Sequence, residues 1–134
     1  MKKVLLLGSA VMLLGVAGWS QADPAFVGYM KATSAANGSL RKNMEAKMGP
    51  EAAADATKLA DIMGQVKAFF ETNKSAGATL AAKAQADFTK VAELAGAGKV
   101  DEAAEAMKVA GANCGACHTA HREKVGDGPY SIKF

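Results

Sequence analysis

One stripe limits what this chain can fold into more than any other feature. Val100, Ala104, Met107, Gly111, Cys114, His118, His121 and Val125 recur at steps of four and three residues in strict alternation. Such spacing stays on one face of an α-helix and would scatter over both faces of a strand. Three earlier segments carry the same period. Phe26, Met30, Thr33, Asn37, Leu40 and Met44 form a seam in the first, Leu59 to Phe70 in the second, and Leu80 to Leu94 in the third. They are separated by "MGP" at 48–50, by Ser75 and Gly77, and by "GAG" at 96–98. No alternating β-branched run reads as a strand.

The expected fold class is therefore all-α, an antiparallel up-down four-helix bundle. Its helices run from the N-cap Asp23 to about Lys47, from Pro50 to about Ser75, from Ala78 to Ala95, and from an N-cap at Asp101 to about Val125. The tail "DGPYSIKF" is too rich in turn residues to extend the last helix. Inside the first helix Asn37-Gly38 pairs two poor helix formers. It predicts either a kink or a bulky neighbour that needs the missing side chain.

The other terminus bounds the location. Met1-Lys2-Lys3 heads an apolar run from Val4 to Gly18, and Trp19-Ser20-Gln21-Ala22 follows with small residues at the −3 and −1 positions of a cut after Ala22. This is the pattern of a cleaved secretory signal peptide over residues 1–22, leaving residues 23–134 as one exported domain. A membrane anchor is the competing reading, but the run falls short of the ~20 apolar residues that span a bilayer. The chain is thus expected in the periplasm, with no membrane association after cleavage. Losing Lys2 and Lys3 lowers the formal charge from +3 to +1, which leaves no basic footprint for nucleic acid.

The chemistry is concentrated in "NCGACHTAHREK", residues 113–124. It holds both cysteines, Cys114 and Cys117, and both histidines, His118 and His121. A disulfide between the cysteines would close a tiny loop and stabilise little. Cys114-Gly115-Ala116-Cys117-His118 is instead C-x-x-C-H, the attachment sequence of c-type haem. On a helix Cys114 and His118 share a face, one turn apart, and Cys117 adjoins His118. Two thioethers can then pin one edge of a porphyrin while the imidazole reaches its iron. Gly111 and Gly115 clear space for the flat ring. Two rival readings use the same residues. A zinc site of Cys114, Cys117, His118 and His121 would strain tetrahedral geometry along two turns of one helix. A redox dithiol belongs beside a βαβ pattern that this chain lacks.

With this motif on the last helix of an exported, all-helical chain, the sequence resembles the class II c-type cytochromes, the cytochrome c-prime group. The resemblance covers the mature chain in architecture and is specific in the final helix. It implies a covalently bound haem near the C-terminal helix, with an Arg or Lys four residues after the ligand histidine. Here that residue is Arg122, placed near the haem. The first helix departs from the group's arginine followed four residues later by Leu or Met, which leaves the sixth iron position open. Dimers occur in the group, so a homodimer is compatible with the resemblance.

The residues divide as follows. Cys114 and Cys117 are expected to carry one haem c, with His118 as the proximal iron ligand through a neutral imidazole. His121 cannot reach the opposite face of the same iron, so packing is its expected role. In an antiparallel bundle, counting in from Asp23 puts Met30 at the level of His118 as the candidate distal ligand. A His/Met pair suits electron transfer. Met44 and Met107 are expected further from that level. No Ser/His/Asp or paired-carboxylate arrangement points to an enzyme. The leading expectation is a carrier of single electrons between redox partner proteins. The alternative is a five-coordinate haem, roomy near Asn37-Gly38, that binds a diatomic gas such as NO or CO.

Overall fold

The computed structural model describes residues 23–124 and 130–134. The signal segment 1–22 and the expected helix end at Val125 lie outside the described residues. Four helices follow one another: α1 Pro24–Glu45, α2 Gly49–Thr72, α3 Gly77–Gly96 and α4 Val100–His121. Asp23 caps α1, accepting hydrogen bonds from the backbone N–H groups of Ala25 and Phe26 at 2.9 and 3.2 Å. Pro24 occupies the first turn, where its missing N–H costs nothing.

The three turns stop their helices in the same way. Lys47, Lys74 and Gly98 each adopt a positive φ of 57°, 53° and 76°. The next residue's N–H then reaches back over the turn: Met48 to Asn43, Ser75 to Phe70 and Lys99 to Leu94, at 2.8 to 2.9 Å. This is the Schellman arrangement, which satisfies carbonyls that the helix end would otherwise orphan. Only the third turn places a glycine at the left-handed position.

Such tight turns make sequential helices neighbours. α1 packs on α2, α2 on α3, and α3 on α4, whereas α1 and α4 touch at only a few points. Leu40, Leu59, Phe70 and Val91 are fully buried at the centre. Alanines such as Ala52, Ala56, Ala81 and Ala103 let the helix backbones approach closely around them. The bundle is thus closed on three sides and open along the α1/α4 side.

Three sequence expectations need correction. α4 starts at Val100 after Lys99, with no side-chain cap, and Asp101 sits in its first turn. The carboxylate of Asp101 instead pairs with Lys47 across the bundle end. α4 also ends at His121, because Arg122 turns to an extended conformation. The tail then adds strand to the helices: β1 Arg122–Lys124 pairs antiparallel with β2 Tyr130–Ile132. At Asn37-Gly38, α1 runs unbroken, and a Cβ at Gly38 would meet no protein atom within 4 Å, which leaves the space there open.

Candidate functional site

The open side of the bundle is a cavity of about 810 Å³. That lies toward the upper end of the roughly 300–1,000 Å³ typical of small-molecule and cofactor sites. One wall is the last two turns of α4. Cys114, Cys117 and His118 all line it, so the C-x-x-C-H motif faces the space that the bundle leaves open. Gly111 and Gly115 line it as well, and a Cβ on either would project into open space. Helical spacing accounts for the grouping, since positions 111, 114, 115 and 118 recur on one face.

The facing wall is the N-terminal half of α1, with Met30, Thr33, Ser34 and Asn37. The seam read from the sequence therefore splits in two. Its first half looks into the cavity, and its second half, Leu40 and Met44, is buried in the core. Thr33 spends its hydroxyl on the Tyr29 carbonyl four residues back, at 2.8 Å. Asn37 Oδ1 is enclosed by protein and has no hydrogen-bond partner among the described residues. Between the walls, α2 supplies Met63, Val66 and Phe70, and α3 supplies Ala84 and Phe88. Of these, Met63, Val66 and Ala84 were not singled out from the sequence, where they read only as core.

Electrostatics at the motif favour uncharged side chains. Burial, and then the nearby carboxylate of Asp87, push the Cys114 thiol above its usual pKa. Burial, and then Cys114, do the same to Cys117. His118 moves the other way, its pKa lowered by desolvation and then by the Arg122 guanidinium. Its side chain still opens to solvent, so water screens both effects. A neutral imidazole is the form that binds a metal. Asp87 is itself held in place by Asn113, whose Nδ2 donates to its Oδ2 at 2.5 Å.

The tail closes one end of the cavity. Tyr130, Ser131 and Ile132 line it, and Ser131 is only 5% exposed. Arg122 lines the mouth, one residue past the helix, with its guanidinium carbon 3.5 Å from the Tyr130 ring centre. It is therefore stacked as a cation–π pair while it faces the cavity. His121 packs on Phe70, ring centres 5.1 Å apart, and bonds to the Lys133 backbone. Of the methionines, Met30 and Met107 both line the cavity, while Met44 is buried in the core.

Comparison with protein-family models, with curated proteins and with solved structures finds no match. The chemistry of the site rests on its own residues. Among the described residues, no group of three or more His, Cys, Asp or Glu side chains converges to hold a metal ion. No helix among them is long and apolar enough to cross a membrane. Two free half-buried thiols, an imidazole, two glycines and an apolar floor that line one cavity fit a flat macrocycle.

Proposed function

We propose that the chain is a mono-haem c-type cytochrome of the four-helix-bundle kind, exported to the periplasm, that carries single electrons between redox partner proteins. One observation carries the reading: Cys114, Cys117 and His118 line a single large cavity between α4 and α1. Cys114 and Cys117 would hold the haem through thioether bonds, and His118 would bind its iron through the neutral imidazole. When bound, the haem supplies one-electron chemistry at its iron.

The protein's own residues would do the rest. Gly111 and Gly115 let the ring lie close to the α4 backbone, and Phe70, Phe88 and Val66 exclude water from its buried edge. Arg122, stacked on Tyr130, lines the cavity with a positive charge that would pair with a haem propionate. Met30 offers a thioether from the α1 wall, and a His/Met pair raises the reduction potential. The rival readings fare worse. A reactive dithiol needs a lowered thiol pKa, and both thiols here are raised. A zinc site needs converging ligands, which the four residues on one helix do not provide.

A second reading is a five-coordinate haem that binds NO or CO. Thr33 and Ser34 share the α1 wall with Met30, and neither fills space as a thioether does. Intact mass of the exported protein, from a host able to mature cytochromes, tests the shared core of both readings. A mature chain as light as its amino acids alone ends them together. The ferric far-red band of methionine–iron coordination, lost in Met30→Ala, favours the electron carrier. Rapid CO binding unaltered by that substitution favours the gas binder.

A further inference from the structure

Charge is divided unevenly around this bundle. α1 carries Lys31, Arg41 and Lys42, and no carboxylate until Glu45 at its end. α4 has no Asp, Glu, Lys or Arg from Val109 to His121. Its acids, Asp101, Glu102 and Glu105, lie near its start, and each meets a lysine: Lys47, Lys99 and Lys108. The acids Glu51, Asp55, Asp61, Glu71, Asp87 and Glu93 stand on α2 and α3. The side of the bundle left open between α1 and α4 is therefore the side with the fewest carboxylates.

The same division holds at the cavity. Lys31, Arg41 and Arg122 line it, and among the described residues no Asp or Glu does. Lys31 and Arg41 are exposed as well as lining, which puts them at its rim. Neither has an ion-pair partner among the described residues, and the lysines that do pair line no part of the cavity. Residues 23–134 together are formally only +1, the +3 of the whole sequence less Lys2 and Lys3. The positive rim is thus a local feature and not a consequence of net charge.

We propose that this rim, through Lys31 and Arg41, docks the acidic surface of a protein that exchanges one electron with the haem. The inference rests on the cytochrome reading of the cavity and adds the face and the charge of the partner. Complementary charge steers encounter and raises the on-rate more than it tightens the complex, which suits a partner that must arrive quickly and leave. An anionic membrane is the weaker occupant, because lipid headgroups are recognised by clusters of about 4–8 Lys or Arg. The rim offers fewer.

The test uses the reduced, haem-bearing protein with an acidic blue-copper protein as acceptor. The ferrous iron loses one electron, Cu(II) gains it to become Cu(I), and no bond or proton is exchanged. Stopped-flow rates are expected to fall steeply as salt rises, since screening removes the steering. Lys31→Glu combined with Arg41→Glu is expected to slow the exchange about tenfold at low salt and to flatten its salt dependence. Lys58→Glu combined with Lys83→Glu makes the same change in net charge at exposed sites on α2 and α3, and is expected to stay near wild type. Reduction potentials measured alongside separate a change in driving force from a change in encounter. Should the rim reversal fail to fold or mature, Lys31→Gln with Arg41→Gln replaces it, with a smaller effect in the same direction. Equal slowing by both pairs, or none by the rim pair with haem attached by mass, would overturn the inference and leave the cytochrome reading standing. Binding to phosphatidylserine vesicles at physiological salt, lost in the rim variant, overturns it in favour of a membrane. A wild-type protein without the haem mass overturns both readings.

Discussion

His121 and Lys133 hold each other through two hydrogen bonds. The imidazole Nδ1 donates to the Lys133 carbonyl at 2.8 Å, and the Lys133 N–H donates to the His121 carbonyl at 2.7 Å. Because a carbonyl can only accept, this contact fixes the proton on Nδ1. The pair joins the last residue of α4 to the end of the chain. Phe134, next along, then sets its ring 6.0 Å from Phe69 and 6.3 Å from Phe70. The end of the cavity is thereby closed by a strap that the helices alone would not make.

Replacing His121 by Ala removes one bond of the clamp and the contact with Phe70. The expected cost is about 1–2 kcal/mol, the sum of a lost hydrogen bond and lost ring packing. Chemical denaturation should show an earlier midpoint with an unchanged slope. Faster trimming of the C-terminus by carboxypeptidase should accompany it. Wild-type stability would mean that the strap does not depend on this histidine.

Lys74 sits at a left-handed φ of 53° on an exposed turn. A side chain there costs roughly 1 kcal/mol relative to glycine, which adopts that region freely. Lys74→Gly should therefore stabilise the protein by about that amount, less the entropy that glycine adds to the unfolded chain. A calorimetric melt should rise by a few degrees. Lys47→Gly is the poorer choice, because Lys47 also pairs with Asp101.

How much of this could be read from the residues differs from place to place. The helices were legible because alternating steps of four and three leave little choice of conformation. The grouping of Cys114, Cys117 and His118 was legible for the same reason. The turn at Lys74 was not, since its conformation comes from the backbone bond of Ser75 to Phe70 and not from a glycine signal. The strap was missed because residues 122–124 and 130–132 are three-residue strands, too short for alternation to register. Beside them, His121 and Phe134 pack on Phe70, a partner far away in sequence.

Thiol reactivity checks the site before any cofactor is attached. Both cysteines have raised pKa values, so at pH 8 less thiolate is present than in a free peptide. Residues 23–134 made without haem should be alkylated by iodoacetamide more slowly than a peptide of residues 113–124. The gap should narrow as pH climbs toward and past the ordinary value of 9.0, and vanish in denaturant. Asp87→Asn should speed the reaction at Cys114, because it removes a charge that opposes the thiolate. Faster alkylation than the peptide would instead mark an activated dithiol.

The glycines of α4 separate stability from cofactor fit. Gly111 and Gly115 lie in the helix interior, where alanine is better by about 0.5–1 kcal/mol, and a Cβ on either meets nothing within 4 Å. In a chain built only to fold, substitution there would be favourable. Gly111→Ala should accordingly raise the melting temperature of the haem-free protein, and Gly111→Leu should leave it folded. The leucine, however, would fill the space beside Cys114 that a flat ring must enter. Intact mass from a host that matures cytochromes should show haem retained in wild type and sharply reduced in Gly111→Leu, with circular dichroism still helical. Full haem attachment in the leucine variant would mean that the ring does not lie against this face of α4.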